Sequence, residues 1–165
     1  GLDDGPASAV ARGVAETLYR ARVDGEGRLP WLLVDEAHTF FDGIAGPALD
    51  KIRARGRAPG VSLVLATQRP SALPETAISQ SDLLLSHRLT ARSDLEALET
   101  ARPTYLNESL SERMPERTGD VLVVDDTTET VHSATVRRRE TPHGGDSPQA
   151  SEWQMDRSER AEASE

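Results

Sequence analysis

Two short stretches of this sequence carry residues that could do chemistry together. Trp31-Leu32-Leu33-Val34 is an apolar run that ends in Asp35-Glu36 and continues into Ala37-His38. A buried strand holds whatever follows it rigidly at the sheet edge. Two adjacent carboxylates placed there can divide the work. Asp35 can hold Mg²⁺, usually through a water, because Mg²⁺ prefers hard oxygen ligands and keeps its hydration shell. Glu36 can polarise the water that attacks a γ-phosphate. The plain alternative is a strand followed by a solvated acidic turn. The second stretch, Val61 to Thr67, is also apolar and ends in Gln68-Arg69-Pro70. A side-chain amide at the end of an adjacent strand can reach the same phosphate and sense whether it is present. Otherwise Gln68 simply caps the end of its strand.

The elements that must position these groups can be read from hydrophobic spacing. Residues 8–22 form an amphipathic helix pattern, with Val10, Val14, Leu18, Ala11 and Ala15 grouped on one face. Leu29 to Val34 is a buried strand. Asp42-Gly43 opens a helix striped by Ala45, Ala48, Leu49 and Ile52 and stopped by Pro59-Gly60. Val61 to Thr67 is the second strand, 71–81 a loop or short helix, and Leu83 to Ser86 a third strand. Ser93-Asp94 is a candidate N-cap for a helix carrying Leu95 and Leu98. A further helix over 104–114 is expected, then a hairpin of Val121–Val124 and Thr130–Val136. Alternating strands and helices predict an α/β fold with a largely parallel sheet, whose sites lie at the C-terminal strand ends. Both polar motifs stand at such ends. Trp31 is expected in the core. The Ser-, Glu-, Gly- and Pro-rich tail 140–165 is read as a disordered acidic tail.

The composition narrows the setting. The 165 residues carry a net charge of −9 with no cysteine, and apolar residues make up 36%, so part of the length is expected to lie outside a core. Lysine occurs only at Lys51. Such an acidic, lysine-poor surface suits a salt-rich, haloarchaeal cytoplasm, although a GC-rich genome gives the same arginine bias. No apolar run could span a membrane, and without disulfides a cytoplasmic location is the default.

Taken together, and in this order, the segments resemble the HerA/FtsK superfamily of ring-forming DNA motors. Asp35-Glu36-Ala37-His38 is similar to its Walker B motif, and Thr67-Gln68-Arg69-Pro70 to the end of its sensor strand. The basic stretch Arg53-Ala54-Arg55-Gly56-Arg57, the segment Ile78-Ser79-Gln80-Ser81-Asp82, the strand end His87-Arg88-Leu89-Thr90 and the closing strands from Thr118 also fit. The resemblance covers roughly residues 8–139 and is nearest to the HerA branch. It implies a RecA-like P-loop NTPase core, here its C-terminal portion (1–139), with ATP and Mg²⁺ as cofactors. It gives Asp35 the metal, Glu36 the water and Gln68 the γ-phosphate. Arg57 would stabilise a transferred phosphoryl group across a subunit boundary, or else is a cation favoured by a helix C-terminus. His38 could touch a phosphate-coupled network or the neighbouring subunit, but is read first as a structural hydrogen-bonding residue, and Arg53 and Arg55 as solvated. Arg69 and Arg88 are interface candidates, and Arg137, Arg138 and Arg139 could touch nucleic acid but are read first as a solvated strand end. A homo-hexamer threading DNA, a partner nuclease in end resection, and no membrane complete the expectation. Conjugative DNA-transfer ATPases share much of the pattern. An unrelated DEAH helicase fits the Thr-Gln-Arg-Pro context poorly.

One departure is large. No Gly-x-x-x-x-Gly-Lys-Ser/Thr loop occurs in the 165 residues, and Lys51, Gly56 and Gly60 do not supply one. The chain is therefore expected to be a fragment of an ATPase and inactive alone, or a truncated domain retained as an interaction module.

Overall fold

The computed structural model describes residues 4–106, 108–138 and 140–141. The tail expected to be disordered lies outside them apart from Glu140 and Thr141, as does Arg139. In chain order the elements are α1 (Asp4–Val23), β1 (Trp31–Val34), α2 (His38–Phe41), α3 (Gly46–Arg55) and β2 (Ser62–Leu65). A 3-10 turn (Pro70–Ala72), α4 (Glu75–Ser79), β3 (Leu83–Ser86), α5 (Arg92–Thr100), β4 (Asp120–Asp125) and β5 (Thr130–Thr135) follow. The fold is mixed α/β, but the largely parallel sheet is not found. β1 and β2 form a two-stranded parallel sheet, whereas β3, β4 and β5 form a separate antiparallel one. The third strand takes its partner from far along the chain, with Leu83 opposite Asp125 and Ser86 opposite Leu122.

Each sheet has its own core. Val34, Ala37, Ala45, Ala48, Leu49, Ile52 and Val61 pack with Ala15 of α1, while Ile78, Leu98, Ala101, Leu110, Leu122 and Val124 form the second cluster. The face that α1 buries is not the one its valines suggest. Ala15 is fully buried and Ser8 nearly so, with Ala11 and Tyr19 along the same stripe, while Val10 and Val14 are exposed. Small side chains let α1 approach the α2–α3 turn closely, and there the Ser8 hydroxyl accepts the buried Ala45 N–H at 3.1 Å. Lys51 of α3 lies 4.3 Å from the centre of the Tyr19 ring, a cation–π contact across the same packing. Between α3 and β2 the chain doubles back through Gly56 and Gly60. A Cβ on Gly56 would stand 2.4 Å from Ile52 O, and Gly60 takes φ +81°, a conformation that glycine alone adopts without penalty.

The expected helix over 104–114 is not found among the described residues of that range. Glu99 of α5 holds that segment as turns by accepting Ser111 N–H at 2.7 Å, while Arg102 binds Glu108 O at 2.7 Å. The fixed loop delivers Leu110, 1% exposed, into the second core.

β2 and β3 are tied to each other at both ends. Arg57, ahead of β2, pairs with Asp82, which immediately precedes β3. Beyond the other ends, Ser71 N–H donates to Asp94 Oδ1 of α5 at 3.0 Å. β2 and β3 are thus joined through the segments that flank them. They nevertheless share no ladder. The flanking faces are open: Trp31 and Leu33 of β1 are 69% and 68% exposed, and Leu83 and Leu85 of β3 are 51% and 58% exposed. Trp31 is thus not a core residue, because nothing in the described chain covers that face of β1.

Candidate functional site

The parallel pairing of β1 with β2 brings the two motifs together. Leu65 lies opposite Val34, so Asp35-Glu36 and Thr67-Gln68 leave neighbouring strands at the same end of the sheet. Backbone bonds continue past the ladder, with Ala66 N–H donating to Val34 O and Ala37 N–H to Ala66 O, both at 2.9 Å. Glu36 sits between them with φ +46°, in the left-handed region. A side chain there is disfavoured unless the surroundings impose it. Here they do: Thr39 donates to Glu36 O through both its N–H and its hydroxyl at 2.9 Å. The kinked backbone turns the Glu36 side chain towards β2, where Gln68 Nε2 donates to Glu36 Oε1 at 2.8 Å.

Asp35 is exposed, and its Oδ1 accepts the Glu36 N–H at 2.9 Å. That leaves Oδ2 uncommitted among the described residues. One free carboxylate oxygen is a suitable donor for a cation that keeps most of its waters and takes its other ligands from a nucleotide. Among the described residues, no cluster of three or more His, Cys, Asp or Glu could hold a metal by itself.

His38 makes the structural hydrogen bond expected of it: its Nδ1 lies 2.8 Å from Thr67 Oγ1. Thr67 carried no separate signal in the sequence, because a hydroxyl at a strand end is common. Its contact with His38 depends on a strand pairing that spacing alone does not reveal.

Arg57 is not part of this group. It lies before β2, at the end of the strand opposite to Gln68, and its partner is Asp82. Their hydrogen bond and the Asp82 charge hold the guanidinium firmly protonated. An open cleft of about 750 Å³ beside it is lined by Tyr19, Val23, Arg55, Arg57 and Pro59. Arg53 is not free in solvent as expected: it binds Asp50 at 3.1 Å and Gln80 Oε1 at 2.6 Å. Arg69 is exposed at the site end of the sheet, and Arg88 reaches Glu116 O at 3.5 Å. Arg137 pairs with Glu140.

No protein-family model matches the sequence, and no curated protein sequence does. Solved structures match its fold. The genome packaging NTPase B204 from Sulfolobus turreted icosahedral virus 2, in complex with AMPPCP, superposes with a TM-score of 0.61 at 21% identity, over 78% of this chain and 63% of that one. The same NTPase in complex with AMP gives a TM-score of 0.60 over 76% of this chain. B204 described as the DNA-packaging ATPase from Sulfolobus Turreted Icosahedral Virus gives 0.58 at 19% identity. At these identities the likeness is one of fold. The chain spans under two thirds of the length of each of these structures, 63% in the first. No described helix is long and apolar enough to cross a membrane.

Proposed function

We propose that this chain is the Walker B and sensor portion of a RecA-like ATPase of the HerA/FtsK type, working as a DNA translocase of the HerA kind. The observation that carries the reading is the 2.8 Å contact between Gln68 Nε2 and Glu36 Oε1. It joins two motifs that lie far apart in sequence at the C-terminal end of one parallel strand pair, where such folds bind phosphates.

Bound MgATP would supply the electrophilic phosphorus and the charge that polarises it. Asp35 would hold the Mg²⁺ through Oδ2 and a water. Glu36 would take the proton of the attacking water, and Gln68, by releasing or holding Glu36, would report the γ-phosphate. The phosphate cradle has to come from outside these 165 residues. The reading places it between β2 and β3, which share no ladder. One strand laid between two others separates them by two inter-strand spacings, about 9.6 Å, a span that the Arg57 and Asp82 side chains can bridge below it. A P-loop strand placed there would deliver its loop to the end of the sheet that carries Asp35, Glu36 and Gln68.

Arg57 would serve a neighbouring copy in a homo-hexameric ring, with DNA held mainly through its phosphates. A role in DNA end resection with a partner nuclease, or in conjugative transfer, belongs to the same reading. So does genome packaging, the role that the matched B204 structures carry in their names. The missing loop also favours a second reading, a non-catalytic interaction module.

The test is the intact mass of the native protein, with the ATPase activity of that product and of its Glu36→Gln variant. A native product with a Gly-x-x-x-x-Gly-Lys-Ser/Thr loop that hydrolyses ATP, and a variant that binds ATP without turnover, are expected. Full turnover by the variant would refute Glu36 as the base. A native product without the loop and without turnover would leave the interaction module.

A further inference from the structure

Gln68 engages one oxygen of the Glu36 carboxylate; the other faces His38. Nδ1 of His38 lies 3.5 Å from Glu36 Oε2 as well as 2.8 Å from Thr67 Oγ1. The imidazole is largely enclosed, its side chain 16% exposed against 42% for Glu36. Thr67 Oγ1 already accepts the Arg69 N–H at 3.0 Å, and so fixes the end of β2.

These distances fit two forms of the ring. A bare Nδ1 would accept the Thr67 hydroxyl proton and turn a lone pair towards the nearby carboxylate. A protonated Nδ1 donates to Thr67 and presents a positive edge to Glu36 Oε2. We propose, on the reading of Glu36 as the water-activating base, that His38 is its positioning residue. The Nδ1–H, anchored on Thr67, steadies one side of the carboxylate while Gln68 holds the other. The end of β2 thereby sets where the base stands, through two adjacent residues that act on different oxygens. When Gln68 lets go to meet a phosphate, His38 still holds Glu36 in place. A hydrogen bond that merely joined the segments leaving β1 and β2 would need no particular tautomer and would not act on turnover.

The first measurement is the ¹⁵N spectrum of the imidazole rings in the purified chain at mildly alkaline pH. His38 is expected as the Nδ1–H tautomer, the less common form of a free imidazole. His87, whose Nδ1 lies 2.9 Å from the carbonyl oxygen of Asp120 and must donate to it, is an internal standard. Glu36→Gln should shift His38 towards the Nε2–H form. An Nε2–H ring with a bare Nδ1 in the unmodified chain overturns the proposal.

The second measurement is steady-state ATP hydrolysis by the native protein. His38→Ala and Thr67→Val should each lower kcat about 10- to 100-fold, as expected when a catalytic group is displaced by about 1 Å, with KM for ATP unchanged. Thr67→Ser, which keeps the hydroxyl, should restore turnover. Unchanged kcat in His38→Ala, with Glu36→Gln inactive, overturns the positioning role and leaves the ATPase reading intact. Full turnover by Glu36→Gln removes both.

Discussion

Asp94 offers a sharp test of how the two halves of the chain are held together. It lies in the first turn of α5, is 7% exposed, and its Oδ1 accepts the Ser71 N–H at 3.0 Å across the turn that leaves β2. The Ser71 hydroxyl, outweighing burial and helped by the same backbone amide and the Arg69 charge, holds its carboxyl below the usual range. Asp94→Ala removes the acceptor and leaves the Ser71 amide without its partner. A hydrogen bond to a charged group contributes about 1.5–3 kcal/mol, and the favourable position in the first helical turn about 0.3–1 kcal/mol more. The expected loss at neutral pH is therefore about 2–4 kcal/mol. Asp94→Asn, which keeps an oxygen acceptor, should lose about half as much. The sign of the pH dependence follows from the depressed folded-state pKa. The contribution is fully present above the unfolded value of about 3.9 and is lost as pH falls through the lower folded value. Urea unfolding followed by far-ultraviolet circular dichroism should show the gap between wild type and Asp94→Ala narrowing below about pH 4. Other carboxylates are common to both proteins and cancel in the difference. A gap under about 0.5 kcal/mol at pH 7, within the range of ordinary surface substitutions, would refute the reasoning. So would a larger gap that stays constant as the pH falls.

Three further substitutions probe the local geometry. Glu36→Gly should be more stable than Glu36→Ala by about 1 kcal/mol, because the left-handed backbone at φ +46° penalises any Cβ; equal unfolding midpoints would mean that the turn relaxes. Ser8→Ala strands the buried Ala45 N–H and should cost about 1–3 kcal/mol. Amide exchange at Ala45 should rise with it, and unchanged protection there would count against the bond. Gly56→Ala places a Cβ 2.4 Å from Ile52 O and 2.9 Å from Val61 O, both backbone atoms, and should cost about 1–3 kcal/mol. An unfolding curve that superposes on wild type would show that the α3–β2 turn can open.

What the sequence disclosed, and what it concealed, divides along the range of the forces involved. The ends of β1, β2 and β3 are marked by apolar runs breaking into polar residues, so the expected strands fall on or within a few residues of the observed ones. The hairpin of β4 and β5 is equally local. The meeting of Asp35-Glu36 with Gln68 follows once β1 and β2 are taken as parallel neighbours. The antiparallel docking of β3 on β4 is not local, and the alternation of strands and helices pointed to a parallel neighbour instead. In α1 the valines drew the apolar face onto the wrong stripe, since close helix packing selected Ser8, Ala11 and Ala15 for their size. Ser93-Asp94 looked like a helix cap, but Ala91 is the N-cap and Asp94 reaches across to Ser71. The segment 104–114 has helix-compatible spacing, which Glu99 overrides through a contact from another element.

The position of Arg57 bears on how such a site could be completed. β2 runs from Ser62 to Leu65, and Gln68 follows its C-terminal end while Arg57 precedes its N-terminal end. Four strand residues alone span about 13 Å, more than an arginine can cover while paired to Asp82. On the proposed reading, Arg57 cannot reach a phosphate bound at its own Glu36 and Gln68, and any phosphate it meets belongs to another copy. The pair with Asp82 does not forbid this. The side chains are 82% and 62% exposed, so water and salt screen their attraction and breaking it costs little stability. The cleft beside Arg57 is lined by Val23 and Pro59 as well as Arg55, a mixed surface that another protein copy can cover. The two ends of the same short sheet would then serve two nucleotides, with Glu36 and Gln68 at one end acting on that of their own copy and Arg57 at the other acting on that of the next.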